Sequence, residues 1–260
     1  MIVSAFPDSI YPSILEQSNL LINSYLENID LRNIDCKNVT DITESQLINI
    51  RELLLINKIK VHTIGSQFGK KKFNTDIRFD EEEETLRKCI NTAKIFNCKN
   101  IRIFSYFCEK NQKMQVYNFI NKLFQRIPLE NINICVENEK GTSFEELQDF
   151  LQLRAILKCP NLKITFDVAN FVECGLSWDT YLKQLAPLIE CLHIRDISKD
   201  IPYQSVPIGE GDCFNILSLC KLFHQYKLNI VYEPKLRNVN NREDIFLNDI
   251  IKIKEAIKNV

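Results

Sequence analysis

The sequence predicts a single (β/α)₈ TIM barrel domain spanning residues 1–260, and three observations predict it. Short β-branched runs alternate with longer amphipathic stretches from one end of the chain to the other. Eight such pairs divide the 260 residues at about 32 each, in line with the length of one β/α barrel. The strand runs are near-continuously hydrophobic, which implies a parallel sheet covered on both faces. A doubly wound open sheet is the competing architecture. It lacks support, because the FPDSIYPS that follows the first strand has no glycine to build a phosphate loop.

Residues 2–6 read as the first strand and 13–24 as its helix. NIDLR at 28–32 is the second strand and 44–57 the second helix. KVHTI at 60–64 is the third strand, followed by a loop with Gly65, Gly69 and Lys70 to Lys72. Residues 80–96 form a helix whose acidic first turn suits the positive end of the helix dipole. Strand four runs over 100–106 with its helix at 113–126, and strand five over 132–137. Thr142 or Ser143 is expected to cap the next helix, with Glu145 and Glu146 in its first turn. LKITFD at 162–167 is strand six, with a helix at 178–188, and CLHIRD at 191–196 is strand seven. A long loop over 197–212 holds Pro202, Pro207 and the GEG of 209–211. A helix at 214–226, the strand NIVYE at 229–233 and a last helix at 242–258 complete the series. No linker or low-complexity segment marks a second domain.

Composition narrows the function. The formal net charge is −1, so nothing pulls the chain as a whole toward nucleic acid or anionic membranes. The ten cysteines form no CxxC pair and mostly sit in apolar runs, as small reduced hydrophobes do. MIVSAFPDSI lacks the basic and apolar regions of a signal peptide, and no apolar run is long enough to cross a membrane. The expectation is a soluble cytoplasmic protein.

Active sites of β/α barrels lie at the C-terminal ends of the strands. Strand five ends in Glu137, strand six in Asp167 and strand eight in Glu233, and strand seven carries His193. Any one of these alone reads as a solvated loop residue, a helix cap or a packed core side chain. Three carboxylates and an imidazole at one mouth would repel and be costly to desolvate without a cation. One divalent metal ion resolves the conflict. Three oxygens and one nitrogen with open positions suit Mn²⁺, Mg²⁺ or Co²⁺, and also admit Zn²⁺. His62 on strand three and Arg32 on strand two are candidate substrate contacts, with packing or pairing roles as the alternatives. Trp178 and His224 read as structural, and Lys70 to Lys72 as solvated surface or a lid for an anion.

VENEKGTSFEEL, FDVANFVECG, HIRD, PIGEGDCFN and VYEPK resemble segments of the xylose isomerase-like superfamily, in its sugar phosphate isomerase/epimerase branch. The resemblance runs over the whole chain and is most specific from Glu137 to Glu233. It implies that Glu137, Asp167, His193 and Glu233 hold the metal. Asn170 stands three residues beyond the Asp, where the family has His or Asn. HIRD matches an HxKD-like motif, with Arg195 where Lys is common, and GEG matches a GxG-type loop. Asn170 and Arg195 are thereby candidate substrate contacts, with Asn138 beside them.

The resemblance implies proton transfer next to the carbonyl of a small sugar or sugar phosphate through an enediolate. Glu137 and Glu233 would be the catalytic acid–base pair and the chain an isomerase or epimerase. A dehydratase of an inositol-derived or dehydroshikimate-like ketone shares the fold, the ligands and the first step. An apurinic endonuclease with three zinc ions would need further histidines, and the chain has three in all. A degenerate, non-enzymatic barrel would not need all four ligands. A homo-oligomer is compatible with the resemblance.

Overall fold

A computed structural model describes residues 1–129, 131–198, 200, 204–236 and 240–260. Eight parallel strands close into a barrel: β1 Val3–Ala5, β2 Asn28–Leu31, β3 Lys60–Gly65, β4 Asn100–Ile103, β5 Asn133–Glu137, β6 Leu162–Asp167, β7 Ile189–Ile194 and β8 Asn229–Tyr232. β1 pairs with β2 and with β8, so no sheet edge is left open. The helices of the outer layer are α1 Ile14–Asn23, α2 Glu44–Ile56, α3 Phe79–Ile95, α4 Lys113–Arg126, α5 Leu147–Leu157, α6 Val168–Glu173, α7 Trp178–Leu185, α8 Ile216–Tyr226 and α9 Arg242–Lys258. One core of buried Leu, Ile, Val and Phe fills the space between barrel and helices. Phe6, Cys191 and Val231 form a separate apolar cluster. Among the described residues no helix is long and apolar enough to cross a membrane.

The predicted order of elements holds, and several boundaries move. The expected strand over 100–106 stops at Ile103. Beyond it Phe104, Tyr106 and Phe107 donate backbone N–H groups to Phe68, Gly69 and Lys71, stitching two mouth loops together. Gly69 sits at φ +74°, and a Cβ there would collide with the Phe104 carbonyl, so this junction requires glycine. Neither Thr142 nor Ser143 caps a helix. Their hydroxyls donate to Glu139 O (2.8 Å) and Ser105 O (2.7 Å), and α5 starts later behind Glu146, with Asp149 accepting the Glu145 and Glu146 N–H groups.

Two unexpected features bear on the site. α6 follows β6 directly, before the predicted helix. A short antiparallel hairpin pairs Asp196–Ser198 with Gln204–Val206 in the long loop after β7. Residues 199 and 201–203 of that loop, Pro202 among them, lie outside the described residues.

Candidate metal centre and active-site cavity

Parallel pairing brings the four predicted ligands together. Asp167 pairs in register with His193, and Glu137 with Thr165 on the neighbouring strand. Side chains two residues apart on a strand share a face, so Glu137, Asp167 and His193 point the same way as Cys135, Thr165 and Cys191 beneath them. Glu233 follows β8, its N–H held by Ile194 O at 3.0 Å. One donor atom from each of Glu137, Asp167, His193 and Glu233 lies within 4.8 Å of the others. All four residues are buried, with exposures of 0–3%.

The donor set fits a divalent cation on local grounds. Asp167 Oδ2, Glu233 Oε2 and both ring nitrogens of His193 are buried without a hydrogen-bond partner among the described residues. Leaving such atoms unmade is costly, and an ion coordinated by them removes the cost. The remaining oxygens are already committed. Asp167 Oδ1 caps α6 by accepting from Asn170 N (2.8 Å), and Glu233 Oε1 accepts from Arg32 Nη1 at 2.5 Å. Glu137 Oε2 lies 3.2 Å from Arg102 Nε, while its Oε1 lies 3.4 Å from His193 Nδ1.

Charge explains the titration of the cluster. Burial pushes the Glu137 carboxyl up, but Arg102 and His193 outweigh it and bring it down to about 2. Burial likewise opposes ionisation of Glu233, and Lys235, Arg32 and His193 hold it well below the carboxylate range. Asp167 behaves oppositely. Burial raises it, Arg195 and Lys235 only partly offset that, and the Glu137 and Glu233 charges add to the rise. Burial disfavours the charged His193, yet the Glu137 carboxylate lifts the imidazole well above its usual value. Three carboxylates around one imidazole thus attract positive charge strongly.

A cavity of about 440 Å³ opens over this cluster, lined by Glu137 and Glu233 but by neither Asp167 nor His193. Arg32 also lines it, gripped by Asp8 through Nε (2.9 Å) and Nη2 (3.1 Å) and stacked 4.6 Å from the Phe6 ring. The other three predicted substrate contacts lie elsewhere. His62 is buried inside the barrel with Nδ1 3.2 Å from Asp30 Oδ2, because a bulge in β3 turns it toward β2. Asn170 Oδ1 accepts from Arg195 (3.0 Å), and its Nδ2 donates to Asn138 O (2.7 Å). Arg195 pairs with Glu173 (2.5 Å) and reaches Asp167 only at 4.0 Å. Asn138 holds the Asp167 backbone: its side chain exchanges hydrogen bonds with Asp167 N (2.8 Å) and Asp167 O (3.0 Å). Asp196 organises the GEG loop by accepting from the N–H groups of Gly209, Gly211 and Cys213. Trp178 packs against the core and donates to Cys213 O, and His224 is exposed on α8.

Sequence reasoning missed Arg102, Lys235 and Arg242, which also line the cavity, and Asp8, which grips Arg32. The one available signal was an arginine at a buried position of the strand NIRI, where an unpaired charge is not tolerated.

A sequence model described as a xylose isomerase-like TIM barrel matches residues 27–256. A curated 3-dehydroshikimate dehydratase of Bacillus anthracis is 27% identical over 124 residues, covering 45% of this chain and 44% of that protein. The match thus spans under half the length of this relative. Among solved structures, the probable 3-DHS dehydratase AsbF, involved in petrobactin synthesis in Bacillus anthracis, superposes with a TM-score of 0.82 at 18% identity, over 98% of this chain and 99% of that one. The IOLI protein with a binding zinc atom gives 0.78 at 15% identity, over 100% and 99% of the two chains. A D-psicose 3-epimerase solved in the presence of D-fructose gives 0.70 at 13% identity, over 100% and 96%. At these identities the likeness is one of fold.

Proposed function

The chain belongs to the xylose isomerase-like TIM barrel family, and from that premise we propose that it is a divalent-metal-dependent enzyme that moves a proton beside the carbonyl of a small polyhydroxylated ketone. The observation that carries the reading is the division within the cluster. Glu137 and Glu233 line the cavity, whereas Asp167 and His193 stand behind them. All four would hold the ion, and two would also reach substrate. The oxygen-rich donor set suits Mn²⁺, Mg²⁺ or Co²⁺, and a zinc-bound relative of the same fold keeps Zn²⁺ in play.

When bound, a divalent ion supplies Lewis acidity, which acidifies the C–H next to the carbonyl and balances the charge that develops on oxygen. Glu137 and Glu233 do the rest. Arg102 and Arg32 keep both carboxylates ionised, so either can accept the proton from carbon. Return of a proton to the opposite face inverts the centre, and return to the neighbouring carbon exchanges aldose and ketose. Expulsion of a β-hydroxyl, leaving as water after taking a proton from a carboxyl group, gives a dehydration instead. The isomerase or epimerase outcome and the dehydratase outcome share their first step, and the match to a 3-dehydroshikimate dehydratase supports the second.

The test is a panel of ketoses and 3-dehydroshikimate incubated with Mn²⁺-loaded protein in deuterated water and followed by NMR. Deuterium should appear beside the carbonyl, or a conjugated dehydration product should accumulate. Glu137→Gln should lower the rate by at least ~10²-fold. If no compound exchanges or dehydrates, or if Glu137→Gln matches wild type, the reading fails.

A further inference from the structure

We propose that Phe6 is a positioning residue for the metal centre: its ring sets the angle at which His193 meets the ion, a task that usually falls to a hydrogen bond. The proposal rests on the reading of Glu137, Asp167, His193 and Glu233 as metal ligands. A metal-bound imidazole is normally oriented through the nitrogen away from the ion, which donates to a carboxylate, a carbonyl or water. His193 has no such anchor among the described residues. Its Nδ1 faces the carboxylates, 3.4 Å from Glu137 Oε1 and 3.7 Å from Glu233 Oε2, and neither ring nitrogen has an aligned hydrogen bond. The Cys191 thiol, two residues back on the same strand face, is near enough to act on the imidazole but is not aligned with either nitrogen. What the imidazole does have is the Phe6 ring, edge-to-face, with 5.2 Å between centres and 85° between planes.

Phe6 is itself firmly seated. It follows β1, is fully buried, donates its N–H to Tyr232 O (3.0 Å) and packs against Cys191 and Val231. Pro7 keeps the Phe6 backbone out of the helical region, and the single 3₁₀ turn Pro7–Ser9 brings Asp8 and Ser9 to Arg32. Asp8 accepts from Arg32 Nε (2.9 Å) and Nη2 (3.1 Å), and Ser9 Oγ accepts from Nη2 at 3.1 Å. The guanidinium so placed lies 4.6 Å from the centre of the Phe6 ring and donates to Glu233. The FPDS segment thus serves two ligands, His193 through the ring and Glu233 through Arg32. Gly65 leaves room for both: a Cβ there would stand 3.2 Å from Phe6 Cε1 and 3.0 Å from Arg32 Cβ.

Co²⁺ binding, followed by calorimetry and by visible absorption, tests this at a temperature where circular dichroism shows every variant folded. Wild type should take up one ion. Phe6→Leu keeps an apolar contact and removes the ring. It should bind Co²⁺ at least ~10-fold more weakly, with an altered visible band, because the band reports the geometry around the ion. Phe6→Tyr keeps the ring and should stay within about threefold of wild type with the band in place, and so should Cys191→Ala. If Phe6→Leu does not fold, Phe6→Met, which fills the space with a flexible apolar chain, is read by the same criteria. A ring-less variant with wild-type affinity, or with weaker binding and an unchanged band, would make Phe6 a packing residue and overturn the proposal. So would Phe6→Tyr or Cys191→Ala losing as much as Phe6→Leu, since the shape of the space or the thiol would then be what orients His193. A wild-type protein that takes up no ion removes the metal reading and this proposal with it. An ion bound equally well without the Phe6 ring removes this proposal alone.

Discussion

Glu137 and Glu233 each combine a pinned oxygen with one left for the cluster, and the arginines do the pinning. Arg102 gives the sharper test, because both it and Glu137 are almost completely buried. Arg102→Met would leave a buried carboxylate without its cation, which costs ~3 kcal/mol when the partner stays behind. The metal-free protein should lose about that much in urea titrations, and saturating Mn²⁺ should restore most of it. Equal losses with and without Mn²⁺ would mean that Arg102 merely packs. His62 and Asp30 form another buried pair in the barrel. Burial alone would lower the His62 pKa, but the Asp30 carboxylate outweighs it and raises it. The pair therefore adds stability that is complete below the ordinary histidine pKa of about 6.5 and is lost as pH rises through the raised folded value. The urea midpoint of wild type relative to Asp30→Asn should fall on going alkaline through that range. A flat difference would count against a charged pair.

At the scale of elements, the loops at the mouth are set by side-chain acceptors more than by turn propensity. Asp196 gathers the N–H groups of Gly209, Gly211 and Cys213, and a Cβ on Gly211 would strike its carboxylate and the Ile197 carbonyl. Gly209 has open space around its missing Cβ and only the strain of φ +88°. Gly211→Ala should therefore cost more stability, ~2–3 kcal/mol, than Gly209→Ala at ~1 kcal/mol. Thermal unfolding of the two variants gives the order, and the reverse order would put backbone strain above the Asp196 contact. These loops also mark where sequence reading ran out. The strands were legible because hydrophobic runs ending in one polar residue are what buried parallel strands look like. Their four polar ends meet within 4.8 Å. α6 was not legible, since six residues hold too little periodicity, yet it decides that Asp167 spends one oxygen on a cap. Arg102 was hidden because its partner, Glu137, comes from the adjacent strand through pairing that no local pattern records.

For the molecule as a whole, one member of the cluster, Asp167, is a burden on the metal-free fold. Asp167 is buried, its Oδ2 has no hydrogen-bond partner among the described residues, and burial together with the Glu137 and Glu233 charges raises its pKa. A carboxyl whose folded pKa is raised costs stability at any pH above its ordinary value, so at neutrality its charge works against folding. Asp167→Asn removes that charge and keeps an oxygen able to cap α6. The metal-free variant should be more stable than wild type by on the order of 1 kcal/mol, a shift of ~2–4 °C in Tm for a chain of this size. Excess Mn²⁺ reverses the ranking. At a hundredfold excess over Kd, wild type gains ~2.7 kcal/mol by mass action, and the variant, short of one anionic ligand, gains far less. The two melting curves should therefore cross between chelator and Mn²⁺, by calorimetry at neutral pH. A variant less stable than wild type in chelator would show that Asp167 is held by the fold for packing. A variant that gains as much from Mn²⁺ as wild type would remove it from the ligand set.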